Sequence, residues 1–564
     1  MPQVATWTGA PSIKGSSESM RMAMLTFSLV GLQFTWGIEM TYCTPYLLQL
    51  GLTKSKTSLV WIAGPLSGLI MQPVIGVFSD RSKSKWGRRR PFMVGGAILV
   101  AICLLVLGWT AEIVGYFMPE GEARKSATVY LAVFSIYAVD FAINAVQSTS
   151  RSLIVDTLPI PKQQLGSAWA SRMTAIGHLI GYAAGTIDLV KVFGTTFGDT
   201  QFKQLCLIAA GALLAAVAVT SYCVQERILI AGRDSDAQSG VLKMLSQIFK
   251  LTLHLPERIQ AICWAQFWAW IGWFPFLFYG TTWVGETYFR YNTTEDAQKS
   301  KDALGDIGRI GSLSMVIFSI ITFVGSIVLP LVVKSPDKEK CLFTPRPPPV
   351  LASILRSIGK ARPDLLTAWT IGHLVFATTM IMAPFVRSVA FATTLVSICG
   401  ISWALASWAP FAFMGIEINK LGGPSGAAAA AASGGHSYHP LSNDSFEPSS
   451  PTASISSQSL RLSHRPRSFS DVDEEPPSST GELAGIYLGI LNLFTTLPQF
   501  VGTFISMIVF SILEPGKSPE LAQEIEKGEK VAAKQGPNAI AVCLFIGALS
   551  SVVAAVATQK IKHV

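Results

Sequence analysis

The chain has 564 residues, of which 50% are hydrophobic and only 14% are charged, and its formal net charge is +9. Soluble globular proteins carry about 25% charged residues, and the mean hydropathy here is +0.43, so the composition excludes a water-soluble domain. The positive charge does not indicate nucleic-acid binding, because that would need a folded polar domain and the sequence offers none. The sequence therefore predicts an all-α membrane protein.

Apolar runs close to the roughly 20 residues that cross a bilayer as a helix occur twelve times. We place these spans at 22–48, 58–78, 91–112, 129–150, 168–190, 204–224, 261–285, 311–333, 367–386, 388–416, 484–513 and 538–558. The polar segment after the sixth span divides them into two sets of six. The predicted layout is a tail at 1–21, a first half at 22–224, a central loop at 225–260, a second half at 261–558 and a short tail at 559–564.

Positive charge in the loops orients the spans, because connections rich in Lys and Arg face the cytoplasm. The 2–3 connection reads "SDRSKSKWGRRRP", and the 8–9 connection is also basic, which places both termini inside. Lys54 and Lys56, in the short 1–2 loop, run against this rule because that loop faces outside. Asn292 begins an Asn-Thr-Thr sequon in the outside 7–8 loop, so it is the predicted glycosylation site.

A Ser-, Pro- and Gly-rich segment at 419–483 contains almost no large apolar residues, and this composition predicts a disordered cytoplasmic loop. Within it, "RPRSFSD" resembles a target of basic-directed kinases, which makes Ser468 and Ser470 predicted phosphorylation sites. The alternative is that the loop is a passive tether.

A line of polar residues runs along one face of span 4. Asp140, Asn144, Gln147 and Arg151 are spaced at i, i+4, i+7 and i+11, about one per helical turn. Asp140 lies near the middle of the span, where an ionised carboxylate costs about 2.5–3.5 kcal/mol. A buried acid of this kind suits proton coupling, and a structural Asp paired with a neighbouring helix is the alternative.

The stretch "GVFSDRSKSKWGRRR", from Gly76 to Arg90, resembles the loop 2–3 signature of the major facilitator superfamily. That resemblance, together with the six-plus-six layout, implies two six-helix halves related by internal repeats. It implies gating roles for Gly76, Asp80, Arg81, Arg88 and Arg89. In this interpretation the glycine permits close helix approach and the aspartate holds the basic cluster; the alternative is that the arginines only anchor the topology.

Further segments narrow the family. They are "GLQFTWGIEMTYCTPYLLQLGL", "WIAGPLSGLIMQPVIGVFSDRSKSKWGRRRPF", "IGYAAGT", "WIGWFPFLFYGTTWVGE" and "LGILNLFTTLPQF". These pieces resemble plant sucrose transporters and their animal relatives, in family order over nearly the whole chain. The chain is identified as a member of the glycoside–pentoside–hexuronide cation symporters, similar to fungal α-glucoside permeases. The resemblance implies uptake of sucrose or maltose-type α-glucosides with protons by alternating access, and a role for Asp140 in coupling.

Other polar and aromatic residues are candidates for binding the sugar. Trp36 can stack on a pyranose ring, and Glu39, one turn away, is a second proton site, a sugar acceptor or an interfacial acid. Asn144 and Gln147 suit sugar hydroxyls but also suit contacts between helices. Arg151 either reaches the inner headgroups or serves transport, as its match to a plant arginine implies.

Two more candidates lie in the second half. Trp273 resembles the family pattern before Phe274-Pro275 and is our choice for a sugar-facing ring. Arg309, at the outer mouth of span 8, matches a family arginine that is followed by Glu in plants, whereas Ile310 follows it here. The plant-type pair is therefore missing, and the substrate role of Arg309 rests on the resemblance alone.

The sequence predicts no cofactor apart from the coupling proton and no enzymatic activity, because the loops contain no nucleotide, metal or nucleophile motif. The expected partners are a disaccharide, protons and the lipid bilayer, with a monomer as the working unit and no nucleic acid. We expect a multi-pass membrane protein, and we place it in the plasma membrane in preference to the vacuolar membrane. An uncoupled facilitator or exporter on the same fold, and a non-transporting sugar sensor, are the alternatives.

Overall fold

A computed structural model describes residues 6–231, 252, 255–291, 303–334, 362–422, 480–515 and 538–563. The predictions for Asn292, Ser468, Ser470 and most of the loop at 419–483 lie outside these residues. The loop begins later than predicted, because the helix of span 10 continues to Gly422.

The first half contains eleven α-helical segments. They are α1 (Glu18–Thr26), α2 (Ser28–Ile38), α3 (Thr44–Gln49), α4 (Lys54–Val60), α5 (Ala63–Asp80), α6 (Arg90–Gly108), α7 (Thr110–Phe117), α8 (Glu122–Thr157), α9 (Ile160–Thr186), α10 (Leu189–Phe193) and α11 (Gln201–Cys223). Span 5 is displaced toward the N-terminus from its predicted limits, because α9 starts directly after Pro159, which is extended and cannot continue α8.

The second half contributes six long helices among the described residues. They are α12 (Glu257–Tyr291), α13 (Ala303–Val332), α14 (Leu365–Ile381), α15 (Val389–Gly422), α16 (Thr480–Leu513) and α17 (Ala539–Lys560). A short 3-10 turn at Ala383–Phe385 separates α14 from α15, so spans 9 and 10 are distinct helices, as predicted.

Ten of the described helical segments are long and apolar enough to cross a membrane. The other two predicted spans are α9, which carries several polar side chains, and the first span, which is broken into short segments. The break in the first span is a π-helical turn at Glu39–Cys43 between α2 and α3. Single π turns of this kind are rare and are often found at functional sites.

The predicted N-terminal tail and central loop are partly ordered against each other. Strand β1 (Thr6–Thr8) pairs antiparallel with β4 (Ile228–Ala231), and β2 (Ser12–Ile13) pairs with β3 (Val224–Gln225). Both ladders join the start of the chain to the residues that directly follow α11. Hydropathy alone could not predict them, because such short strands depend on the meeting of distant segments.

The two halves contact each other mainly along two seams, α9 against α13 and α4 against α16, and α16 also contacts α5. Hydrogen bonds and ion pairs across these seams concentrate at the end of the bundle where α3 and α4 meet, which the charge rule assigns to the outside. Ser55, for example, donates to the Met507 carbonyl at 3.3 Å and lies 2.7 Å from the Ser511 hydroxyl. The described contacts therefore correspond to a state that is closed toward the outside.

Candidate functional site

The polar stripe of α8 lies where the sequence predicts it. Asp140, Asn144 and Gln147 are buried, and Arg151 is exposed at the inner end of the stripe. Arg151 is 11 residues beyond Asp140, which is about 16 Å along a helix, so the two side chains do not form a direct pair. Exposure thus increases from the centre of the stripe toward the inner side.

Asp140 is 4% exposed, and its Oδ2 has no hydrogen-bond partner among the described residues. Buried polar oxygens are normally hydrogen-bonded, and an orphan is commonly explained by a catalytic role or by a bound water or ion. Within the described part of the chain Asp140 forms no ion pair with a cation, unlike the structural Asp that was the alternative interpretation. The geometry therefore leaves this carboxyl group available to a proton or a ligand.

Glu39 occupies the first position of the π turn and is also 4% exposed. Its Oε1 has no hydrogen-bond partner among the described residues, and its carboxyl group interacts electrostatically with that of Asp140. This burial argues against the interfacial-acid interpretation. The Nε1 of Trp36, one turn earlier, likewise lacks a partner. In the described structure, an indole N–H and one oxygen of each of two carboxyl groups therefore lack hydrogen-bond partners in the interior of the first half.

Asn144 serves as a contact between helices in this structure. Its Nδ2 donates to the hydroxyl of Ser67 on α5 at 2.9 Å and to the backbone carbonyl of Asp140 at 2.9 Å. This arrangement fits the structural interpretation of Asn144 and holds α8 against α5 beside the acid.

Close packing of α9 on α2 supports the same region. A methyl group added at Gly177 would lie 2.5 Å from the Val30 carbonyl oxygen, and one added at Gly181 would lie 2.9 Å from that of Phe34. His178, between them, stacks on Tyr182 with ring centroids 5.8 Å apart. Gly177 and Gly181 therefore form a close helix contact, and it positions the turn that precedes Glu39.

An apolar and hydroxyl-rich seal covers the outer side of Glu39. Thr44 donates to the Phe278 carbonyl at 3.2 Å and accepts from the Trp61 indole at 3.0 Å. Thr281 donates to the Met40 carbonyl at 3.3 Å. Since Phe278 and Thr281 belong to α12, each half contributes to this seal.

Tyr42 reinforces the seal at the other seam. Its hydroxyl donates to the Gly185 carbonyl at 2.6 Å, and its ring lies so close to Gly308 of α13 that a side chain there would clash.

Trp273 does not meet the sugar-facing prediction in this state. It is 1% exposed and packs against Phe376, at 4.3 Å between ring centroids, and Trp403, at 4.8 Å. Both neighbours belong to the second half, on α14 and α15. The ring is therefore part of an aromatic core, because a bulky apolar side chain gains most by packing against other rings.

Arg309 forms ion pairs in place of the missing plant-type partner. Its guanidinium contacts Asp306 on its own helix and lies 3.3 Å from the carboxylate of Asp188. Asp188 follows α9, so this pair joins the two halves on the outer side. Both ion pairs engage the guanidinium of Arg309 in this state, so the structure does not show the substrate contact that was predicted for it.

The predicted gating residues lie at the inner end of the first half. Arg88 and Arg89 contact Asp156 of α8 at 2.6 and 2.7 Å. Arg81 is exposed, and the side chain of Asp80 lies outside the described part of the structure. A methyl group at Gly76 would meet nothing within 4 Å, so the close approach predicted there is not present in this state.

Glu226, which the sequence did not single out, caps the start of α6. Its carboxylate accepts from the backbone N–H groups of Arg88, Arg89 and Arg90 at 3.0, 2.8 and 2.9 Å. The first N–H groups of a helix lack partners within it, so a carboxylate there is stabilising.

Sequence reasoning also missed an ion cluster on the outer side. Lys54 lies 2.6 Å from Glu286 and 2.6 Å from Glu514, and all three are buried. Two signals pointed to it, namely an outside lysine that opposed the charge rule and an acid at the end of an apolar span.

Comparison with known proteins identifies the family. A family model described as "MFS/sugar transport protein" matches residues 24–293. A general α-glucoside permease of Schizosaccharomyces pombe is 32% identical over 460 residues, which cover 72% of this chain and 82% of that protein. The chain belongs to the sugar-transporter family of the major facilitator superfamily. The sequence-based identification is thereby confirmed.

Plant members of this sugar-transporter family are also similar to the chain. Sucrose transport protein SUC4 of Arabidopsis thaliana is 31% identical over 310 residues, covering 51% of this chain and 60% of that protein. Sucrose transport protein SUT1 of Oryza sativa subsp. japonica is 26% identical, with 60% and 65% covered.

Solved structures agree on the fold. A D-xylose–proton symporter matches with a TM-score of 0.50 at 13% identity, over 96% of this chain and 97% of that chain. A structure of proton-dependent oligopeptide transporters matches with a TM-score of 0.54 at 10% identity, over 96% and 98%. At this identity the likeness concerns architecture alone, and it supports the predicted twelve-helix fold of two halves.

Proposed function

We propose that this sugar transporter is a proton-coupled symporter that takes up sucrose or maltose-type α-glucosides by alternating access. The observation that carries the proposal is the pair of buried carboxyl groups, Glu39 and Asp140, each with an oxygen that has no hydrogen-bond partner among the described residues. A carrier that couples to protons needs an acid that binds a proton in one state and releases it in another. The similarity to an α-glucoside permease and to sucrose transport proteins supports the substrate class.

The two acids have different expected roles. Asp140, in the middle of the first-half bundle and on the stripe that leads inward, is the proposed proton carrier. Glu39, beside the Trp36 indole, is the proposed acceptor for sugar hydroxyls, since a carboxylate and an aromatic ring together suit a pyranose. Gln147 and Arg151, further along the stripe, would complete the inward path.

The energy available from one proton is sufficient for substantial accumulation. A charge that enters down a membrane potential of 100 mV contributes about 2.3 kcal/mol. This corresponds to about a fiftyfold concentration ratio of a neutral sugar, at about 1.4 kcal/mol per tenfold. One proton carried by one acid is therefore enough in principle.

The test is uptake of labelled sucrose and maltose by yeast cells that lack their own α-glucoside permeases and express this chain, at pH 5, with and without a protonophore. Accumulation that collapses with the protonophore supports the symporter, and the preferred label names the sugar. Uptake that stops at equilibrium and ignores the protonophore would establish a facilitator instead. If the protein reaches the cell surface but the cells take up neither label, another solute or a non-transporting sugar sensor is favoured.

A further inference from the structure

The buried ion cluster on the outer side joins the two halves. We call Lys54, Glu286 and Glu514 the outer latch. Lys54 begins α4 in the first half, whereas Glu286 lies on α12 and Glu514 directly follows α16 in the second half. The lysine Nζ is 2.6 Å from each carboxylate, and the three residues are 3%, 0% and 6% exposed.

Both acids of the outer latch are also held within their own half. Glu514 accepts from Arg290 at 2.8 Å, and Glu286 accepts from the side-chain amide of Asn538 at 2.9 Å. These contacts stay intact if the two halves separate here. The two ion pairs of Lys54, in contrast, cross the seam and must both break.

The outer latch lies at the α4–α16 seam, on the same side of the bundle as the sealing contacts above Glu39. Ser55, next to Lys54, contacts Met507 and Ser511 of α16. In a carrier that works by rocking one half against the other, sugar can enter from outside only when this seam opens. The latch residues are therefore in position to act on opening without touching the proposed sugar or proton site.

We infer that Lys54 acts through Glu286 and Glu514 as a latch that stabilises the outward-closed state and limits how often the protein opens to the outside. A buried ion pair is costly to leave with one partner missing. Removal of the lysine takes away the positive charge that both buried carboxylates contact, and their repulsion favours the open seam. The exception to the charge rule at Lys54 is thereby explained, since this lysine serves an ion pair and not the orientation of the loop.

Accessibility of a cysteine placed beneath the latch tests the inference. Ser58 is 0% exposed and lies one turn after Lys54 on α4. A membrane-impermeant maleimide is added outside intact cells at pH 7, and the labelling of a Ser58→Cys protein above that of the protein with Ser58 reports how often the seam opens. We expect Lys54→Met to raise the labelling rate about tenfold, which corresponds to about 1.4 kcal/mol in favour of the open state.

Lys56 provides the matched control, because it is a lysine two residues away that is exposed. Lys56→Met should label at the rate of the parent. The double variant Lys54→Met/Glu286→Gln removes both crossing pairs and leaves Glu514 with Arg290. It should label faster than the parent but no faster than Lys54→Met, because the repulsion between two carboxylates is absent. If Lys54→Met alone does not reach the cell surface, the double variant tests the latch in its place.

Labelling of the double variant at the parent rate, with the protein at the surface, would overturn the latch. A second measurement gives an independent check. Ser55→Cys and Ser511→Cys together should form a disulfide across the seam that stops transport until a reductant is added, and Lys54→Met should slow its formation. The labelling needs neither sugar nor a proton gradient, so its failure is distinguishable from failure of the proposed symport.

Discussion

Two pairs of buried carboxyl groups lie in this protein, and their surroundings differ. Glu39 and Asp140 belong to the first half and interact with each other, and each has an oxygen without a hydrogen-bond partner in the part of the chain that the structure describes. Glu286 and Glu514 belong to the second half and contact Lys54 at 2.6 Å. The first pair has the surroundings of a group that takes up a proton, whereas the second has those of a permanent ion cluster. Burial of an acid alone does not reveal its role; the charges around it do.

The largest expected effect concerns Asp140. Asp140→Asn should retain exchange of sugar across the membrane but lose uphill uptake, so accumulation falls from about fiftyfold to equilibrium. The amide keeps the shape of the side chain and cannot carry the proton. Labelled sugar inside energised cells measures the change, and Asp199→Asn, at an exposed loop aspartate paired with Lys203, is the control. Equal accumulation by Asp140→Asn and the parent would remove Asp140 from coupling.

Substitution of Glu39 should have a smaller effect than substitution of Asp140, and it should change the KM for sugar instead of the accumulation. Glu39→Gln should still accumulate sugar but with a KM about tenfold higher, because a hydrogen bond to a charged acceptor contributes about 1.5–3 kcal/mol and the amide replaces it only in part. The concentration dependence of initial uptake measures this. Loss of accumulation with an unchanged KM would make Glu39 the proton carrier and would assign both members of the first pair to coupling.

The position of the first pair depends on the packing of α9 against α2. Gly181→Ala would place a methyl group 2.9 Å from the Phe34 carbonyl oxygen, whereas Gly211→Ala would meet nothing within 4 Å. Overpacking typically costs about 1–3 kcal/mol, so we expect a lower unfolding temperature for Gly181→Ala alone. Unfolding of the purified proteins in detergent measures the difference. An equal effect of both substitutions would mean that the two helices can move apart.

The smallest expected effect concerns Glu514 of the second pair, whose contribution to stability should not depend on pH between pH 7 and pH 5. Burial works to raise the pKa of Glu514, but Lys54 and Arg290 outweigh it and hold the pKa below its usual value near 4.5. A carboxyl group with a depressed pKa contributes stability above its unfolded pKa and loses it only as the pH falls through the folded value. The difference in unfolding temperature between the parent and Glu514→Gln should therefore be constant from pH 7 to pH 5. A difference that shrinks within this range would show that the cluster titrates.

Much of the architecture followed from the sequence, for reasons that are specific to membranes. A helix must satisfy its own backbone groups in lipid, so apolar runs predicted the spans, and the polar residues inside them marked Asp140 and Glu39. Hydropathy did not predict the break at Glu39–Cys43, although Gly37 and Pro45 lie two residues before and after it and Pro45 cannot donate to the Thr41 carbonyl. Similarly, the roles of Lys54 and Trp273 depended on neighbours more than 100 residues away, and only the packed structure brought these together.

The short strands near the N-terminus have a consequence for how the chain can be divided. β1 and β2 pair with residues 224–231, so the start of the chain and the residues that follow α11 form one unit with the first half. A cut in the chain between 232 and 251 would therefore leave every described helix and both ladders in one of two intact polypeptides. Coexpression of the two pieces, each with its own fluorescent tag, would turn the covalent carrier into a reconstituted heterodimer.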